Sequence, residues 1–292
     1  MTTTTTPTTR TIEVPGAALT YDVRRGESTE ETPLFLLGSP MGAAGFGTLA
    51  SYFPERTIIT YDPRGADRST KHDPSTESNP DQHADDLHRI IEEVNLGPVD
   101  LFASSGGAVN ALALVATHAE DVRILVAHEP PLASILPDSE NAKAVVRAIQ
   151  SSYQAGGFGA GMAHFMAVTS HRGQFPDDFA DQPAPDPAMF GMPTEDDGSR
   201  TDVMLGQNIV GTSDFAPDFD ALRNASTKII IGVGADSEGE MANRGGHACA
   251  ERLGTQPVVF PSHHGGFLGG EYGWPGEPEA FAAKLRDVLS QA

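Results

Sequence analysis

Leu101-Phe102-Ala103-Ser104-Ser105-Gly106-Gly107 is the stretch on which the reading of this chain turns. The mostly apolar segment 99–103 has the length of a buried strand, and the Ala-rich segment from Gly106 onward has the composition of a helix, so Ser105 falls on the turn between them. A serine held there is exposed, sits at a helix N-terminus, and needs tiny neighbours because the turn is tight. Ala103 and Gly107 stand two residues to either side of it. Ser104 fits less well: Gly106 lies two residues after it, but the bulky Phe102 lies two before. Ser105 is therefore the candidate nucleophile. The same residues also suit a plain helix N-cap, so the surroundings have to decide.

Outward from this turn, short apolar runs alternate with helical patterns. Strands are expected at 11–14, 19–24, 34–37, 57–61, 99–103, 124–127, 228–233 and 258–260, the first two as a hairpin through Pro15-Gly16. Helices are expected at 44–53, 83–94, 106–118, 241–253 and 278–289. That rhythm marks an α/β fold, a mostly parallel eight-stranded sheet with helices on both faces. The rhythm stops between 130 and 224, where two helices (140–154 and 161–168) precede a stretch rich in Asp, Pro and Gly. This reads as a helical cap inserted into a core of 11–129 and 225–292. The glycines from Gly156 to Gly161 follow a helix and precede no lysine, which argues for a flexible cap connection and against a phosphate loop. Cap residues Phe158, Met162, Phe165, Phe190 and Met192 are candidates to line a pocket.

A serine needs a base, and the last expected strand runs into Phe260-Pro261-Ser262-His263-His264-Gly265-Gly266-Phe267. His264, ahead of Gly-Gly-Phe, is the one a loop can lay over the serine. A metal site on His263 and His264 is disfavoured, because adjacent residues rarely reach one ion and no third ligand is spaced nearby. Acyl transfer also needs N–H donors for an oxyanion. Gly106, just after the nucleophile, is one. Ser39, in Leu37-Gly38-Ser39-Pro40-Met41-Gly42 after the strand at 34–37, is the other. An ordinary turn would satisfy that second segment equally.

Composition bounds the rest. Forty acidic against 19 basic residues give a net charge of −21, which would repel nucleic acid and anionic membranes. No apolar run approaches the ~18 residues of a membrane span. Residues 1–10, Thr-rich and without a charged and then apolar stretch, read as a disordered tail, and the expected location is the cytoplasm. Cys249 is the only cysteine and falls in the expected helix at 241–253, as a small buried thiol would. A small-molecule substrate is the expected partner, and assembly as a homodimer stays open.

Together these segments resemble the α/β-hydrolase superfamily, from about residue 11 to 289. Leu37 stands where relatives carry the histidine of His-Gly-x-Pro, with Gly38, Ser39 and Pro40 kept. Asp62-Pro63-Arg64-Gly65-Ala66-Asp67-Arg68-Ser69 is similar to the family's Asp-x-Arg-Gly-x-Gly-x-Ser turn, with Asp67 departing from glycine. In the family those turn residues are structural. The resemblance implies an acid after the penultimate strand in a Gly-x-x-Asp turn. Here Gly234-Ala235-Asp236-Ser237-Glu238 puts Ser237 at that register and Asp236 one residue early. The haloalkane-dehalogenase branch places its acid directly after the sixth strand, which in this chain is Glu129. Gly106 to His128 can be laid against that pattern without a gap, so Glu129 ranks ahead of Asp236, with Glu238 third.

The resemblance thus implies a carboxylesterase-like serine hydrolase acting on an ester or lactone of a small apolar molecule through an acyl-enzyme, with no metal or organic cofactor. Dehalogenases and most epoxide hydrolases of this fold need an aspartate nucleophile, which Ser105 is not. C–C bond hydrolases, cofactor-free perhydrolases and a non-catalytic ligand-binding protein on the same scaffold stay open.

Overall fold

The computed structural model describes residues 6–291 except 74 and 76. Its strands, in chain order, are β1 (Thr8–Val14), β2 (Ala17–Arg24), β3 (Leu34–Leu37), β4 (Ile58–Tyr61), β5 (Thr70–Lys71), β6 (Val99–Ser104), β7 (Val122–His128), β8 (Lys228–Gly234) and β9 (Val258–Phe260). The helices are α1 (Gly47–Ser51), α2 (Pro80–Val94), α3 (Gly106–Thr117), α4 (Ser139–Thr169), α5 (Ile209–Asp214), α6 (Phe219–Asn224), α7 (Met241–Leu253) and α8 (Pro278–Ser290). One sheet runs in the order β1-β2-β4-β3-β6-β7-β8-β9, with β5 beside β2. β2 pairs antiparallel with β1, β4 and β5, while β3, β4 and β6 to β9 are parallel.

Side chains of a strand alternate between faces, and both faces here are covered. Leu101 and Ala103 join one apolar cluster with residues of α2, α3, α6 and α7. Phe102, between them, joins the other with residues of α1 and α8. α2 shows how the sequence sets a helix boundary. Asn79 and Gln82 form a reciprocal capping box, Pro80 occupies the first turn, and Asn95 ends the helix in the left-handed region at φ 51°.

Strand order reverses between β3 and β6: the chain passes from β3 to β4 on one side, then crosses to β6 on the other. In a parallel sheet, such a reversal opens a crevice at the carboxyl ends of the strands. The Ser39 loop follows β3, Ser105 follows β6, Glu129 follows β7, the 235–238 turn follows β8, and His264 lies in the loop after β9.

Three sequence expectations are corrected. A ninth strand, β5, adds two residues beside the start of β2. β1 begins at Thr8, so residues 8–10 belong to the sheet rather than to a tail, and residues 1–5 lie outside the described residues. Most of β1 is exposed and carries no apolar signature, yet the ladder from Thr8↔Val23 to Val14↔Ala17 needs only backbone groups and β-tolerant threonines. The two expected cap helices form one element, α4, broken at Gly157 (φ 74°, ψ −166°) rather than joined by a flexible connection. Its glycines serve close packing: a Cβ on Gly159 would fall 1.8 Å from the Pro193 carbonyl oxygen.

Between β7 and β8, α4, α5 and the turn 203–208 build a further apolar cluster, joined by Met241 of α7, in which Val145, Val146, Ile149, Tyr153 and Leu205 are buried. α6, at the end of this region, packs Phe219 and Leu222 onto the core instead.

Candidate active site

Ser105, between β6 and α3, sits at φ 58°, ψ −129°, a backbone conformation that costs on the order of 1–3 kcal/mol for a side-chain-bearing residue. The turn is held from below by the Ser105 N–H, which donates to the His128 carbonyl at 3.0 Å. A Cβ on Gly106 would lie 2.7 Å from the Ser39 carbonyl oxygen, and one on Gly107 2.7 Å from the Gly38 Cα. Only glycines let the loop after β3 press this closely on the start of α3, and that approach sets Ser39 beside Ser105. The adjacent Ser104 points elsewhere: it is buried, with its Oγ 3.4 Å from His128 Nδ1.

His264 reaches back across the sheet ends, its Nδ1 2.6 Å from Glu129 Oε2. With Nδ1 donating to that carboxylate, Nε2 is left for the cavity that His264 and Ser105 both line. Glu129 is fully buried at φ 49°. Its second oxygen accepts from the Gly234 N–H (2.8 Å), the Asn243 side-chain amide (3.0 Å) and the Ser237 hydroxyl. Burial works against the charge of Glu129, but the His264 hydrogen bond and charge and the Ser237 hydroxyl outweigh it, holding the carboxyl well below the usual range. The group is a buried, fully hydrogen-bonded carboxylate.

The structure thus brings Ser105, His264, Glu129, Ser39 and Gly106 to one place and leaves the other two carboxylates outside it. Asp236 is exposed; its N–H donates to the Ser262 carbonyl, and its own carbonyl accepts from Arg172 at 2.7 Å. Glu238 is exposed as well. Ser237, at the register where the resemblance placed an acid, is the residue that turns inward, and it meets Glu129. Asn243, on α7, is a second partner that sequence reasoning missed, since nothing local distinguishes it.

Behind this pair lies His128, whose ring packs against Phe102, Phe260 and Phe281 and sits 6.1 Å from the His264 ring. Burial pushes it down to about 4 despite the neighbouring Glu129 charge, so it is a neutral core residue at ordinary pH.

The cavity in front of Ser105 has a volume of about 310 Å³. Its floor holds Ser39, Gly106 and His264, and its walls are mostly apolar, with Val146, Ile149, Phe165, Val168, Met204 and Ile209. Of the cap residues expected there, only Phe165 lines it; Phe158, next to the Gly157 break, is 40% exposed. Among the described residues no lysine or arginine lines it and Glu240 is its one carboxylate, with a pKa raised by burial and the nearby Glu129 charge against the opposing pull of Arg172. Among the described residues one group is spaced to hold a metal ion, His88, His118 and Asp121. Asp121 precedes β7 at the end opposite Glu129, roughly 25 Å of strand away.

A family profile described as alpha/beta hydrolase fold matches residues 34–219. An uncharacterized hydrolase of Bacillus subtilis (strain 168), YraK, is 27% identical over 290 residues, 96% of each chain. Among solved structures, a thermophilic esterase from Thermogutta terrifontis covers 98% of each chain at TM-score 0.66 and 19% identity. The enol-lactonase from Burkholderia xenovorans LB400 matches 96% of this chain and all of its own length at TM-score 0.66 and 16% identity.

Proposed function

Because this chain belongs to the α/β-hydrolase fold family, we propose that it is a serine hydrolase cleaving an ester or lactone of a small, neutral, apolar molecule through an acyl-enzyme. The observation that carries this reading is the buried Glu129–His264 pair opening onto the same cavity as a strained Ser105. A non-catalytic binding protein has no use for a carboxylate held by four donors behind an imidazole. Ser105 Oγ attacks the carbonyl carbon while His264 Nε2 takes its proton, and the Ser39 and Gly106 N–H groups receive the charge that develops on the carbonyl oxygen. Collapse expels the alcohol oxygen, which takes the proton from His264; in a lactone it stays tethered to the acyl group. Water then repeats the sequence on the acyl-enzyme. Glu129 holds the imidazole in the working tautomer and stabilises its cation. The absence of lysine and arginine from the lining among the described residues, with Glu240 at the wall, supports a neutral substrate over a carboxylate-bearing one.

A fluorophosphonate probe tests the nucleophile. The native protein and Ser104→Ala should be labelled, and Ser105→Ala should stay folded and unlabelled. Labelling that survives in Ser105→Ala but is lost in Ser104→Ala would move the nucleophile by one residue.

A further inference from the structure

We propose that Ser39 acts through its hydroxyl as well as its amide, as a third donor to the reacting carbonyl oxygen, and that Asn208 of the cap holds that hydroxyl in its donating orientation. This rests on the hydrolase reading above. Asn208 closes a turn of the cap (Val203–Asn208), is only 4% exposed and lines the cavity. Burying an amide in an otherwise apolar wall costs stability unless its hydrogen bonds are made. One is made on the cap side, where Gln207 Nε2 donates to Asn208 Oδ1 at 3.2 Å and is itself fixed by the Arg64 carbonyl at 3.0 Å. With its oxygen so engaged, the amide presents Nδ2 to the Ser39 Oγ, 3.4 Å away. His83, buried against Asn208, is pushed down to about 4 by burial first and the Arg64 charge second, against a hydrogen bond with Asn208, so it stands neutral behind the amide at neutral pH.

A hydroxyl has one proton and two lone pairs. Asn208 occupies a lone pair, and among the described residues no protein acceptor takes the Ser39 proton. The proton is left to turn into the cavity. There Ser39 lies against Gly106, whose amide is the other expected donor, with the Ser39 carbonyl pressed on the Gly106 Cα. Ser39 is thereby wedged between the nucleophile's helix and the cap. The cap then tunes the polar side of the reaction as well as enclosing the substrate.

Ser39→Ala keeps the backbone N–H and removes the hydroxyl. On a neutral p-nitrophenyl ester it should lower kcat by roughly 10- to 100-fold, with KM within about twofold. Asn208→Asp decides the orientation. It is isosteric, but a carboxylate would accept the Ser39 proton and turn it away from the cavity, so kcat should fall at least about tenfold. If Asn208 merely latched the cap, the aspartate would keep a hydrogen bond and the activity. The double variant should be no slower than the slower single variant by more than about threefold, because both changes remove one donor. A near-native kcat for either single variant, or multiplicative losses in the double, would overturn the proposal. Ser105→Ala run alongside separates the failures: turnover that survives it defeats the hydrolase reading itself, whereas an inactive Ser105→Ala beside active Ser39 and Asn208 variants defeats this inference alone.

Discussion

At the residue scale, Glu129 carries the largest burden. A carboxylate out of water is costly unless it is paired and hydrogen-bonded. Glu129 meets that condition with four donors, at the further expense of a positive φ. So heavily supported a group is built to stay charged beside His264. Glu129→Gln keeps the shape but loses the charge that stabilises the imidazolium and can misplace the tautomer. Its kcat should drop on the order of 10⁴-fold, the scale found when such an acid is neutralised. Asp236→Asn, altering an exposed side chain, should stay within about threefold of the native rate. A large loss in the Asp236 variant with a normal Glu129 variant would reverse the assignment. Asp67 illustrates a milder residue-scale rule: standing where the family turn has glycine, it adopts the left-handed φ of 45° itself.

At the scale of elements, we propose that α4 governs what can enter. It supplies Val146, Ile149, Phe165 and Val168 to the cavity wall, and Val146, Ile149 and Val168 also pack in the apolar cluster between β7 and β8. Phe165 is half-buried and faces the cavity, so truncating it enlarges the binding space and removes little from the cap's core. Phe165→Ala should raise the kcat/KM ratio of hexanoate to acetate p-nitrophenyl esters by at least about fivefold, with Tm falling no more than a few degrees. A succinate half-ester in the same panel should remain the poorest substrate in both proteins, since among the described residues no lysine or arginine lines the wall. Unchanged selectivity across the panel would show that this helix does not shape the acyl site.

For the whole molecule, acid stability is set by histidines that the fold keeps neutral. His83 and His128 are both fully buried, and burial pushes each down to about 4. In the unfolded chain a histidine binds a proton below about 6.5. Between those values the unfolded state holds more protons, so stability falls as pH drops, by up to the order of 3 kcal/mol for each histidine. Glu129, with its depressed pKa, contributes stability that is present above about 4.5 and is lost only below that, outside this window. Tm should therefore decline steadily from pH 7 to pH 5. His128→Phe, which suits the surrounding Phe102, Phe260 and Phe281, should make that decline shallower. An unchanged slope in the variant would assign the acid sensitivity to other groups.

By itself the sequence determined the features that depend on neighbouring residues. Ser105 on a strand-to-helix turn, the glycines that let another loop approach it, and a histidine after the last strand are all local consequences of chain order and side-chain size. The alternation of apolar runs with helical patterns likewise carried the parallel sheet, because strand and helix periods are written in adjacent positions. What only the tertiary structure decided depends on groups far apart in the chain. Glu129 and Ser237 are 108 positions apart, yet their side chains meet, because β7 and β8 lie side by side in register. In the turn after β8, Asp236 faces solvent and Ser237 faces inward, an orientation that composition does not encode. Asn208 and Ser39, 169 positions apart, meet for the same reason: the cap folds back over the carboxyl ends of the strands, and only that closure sets its amide against the loop after β3.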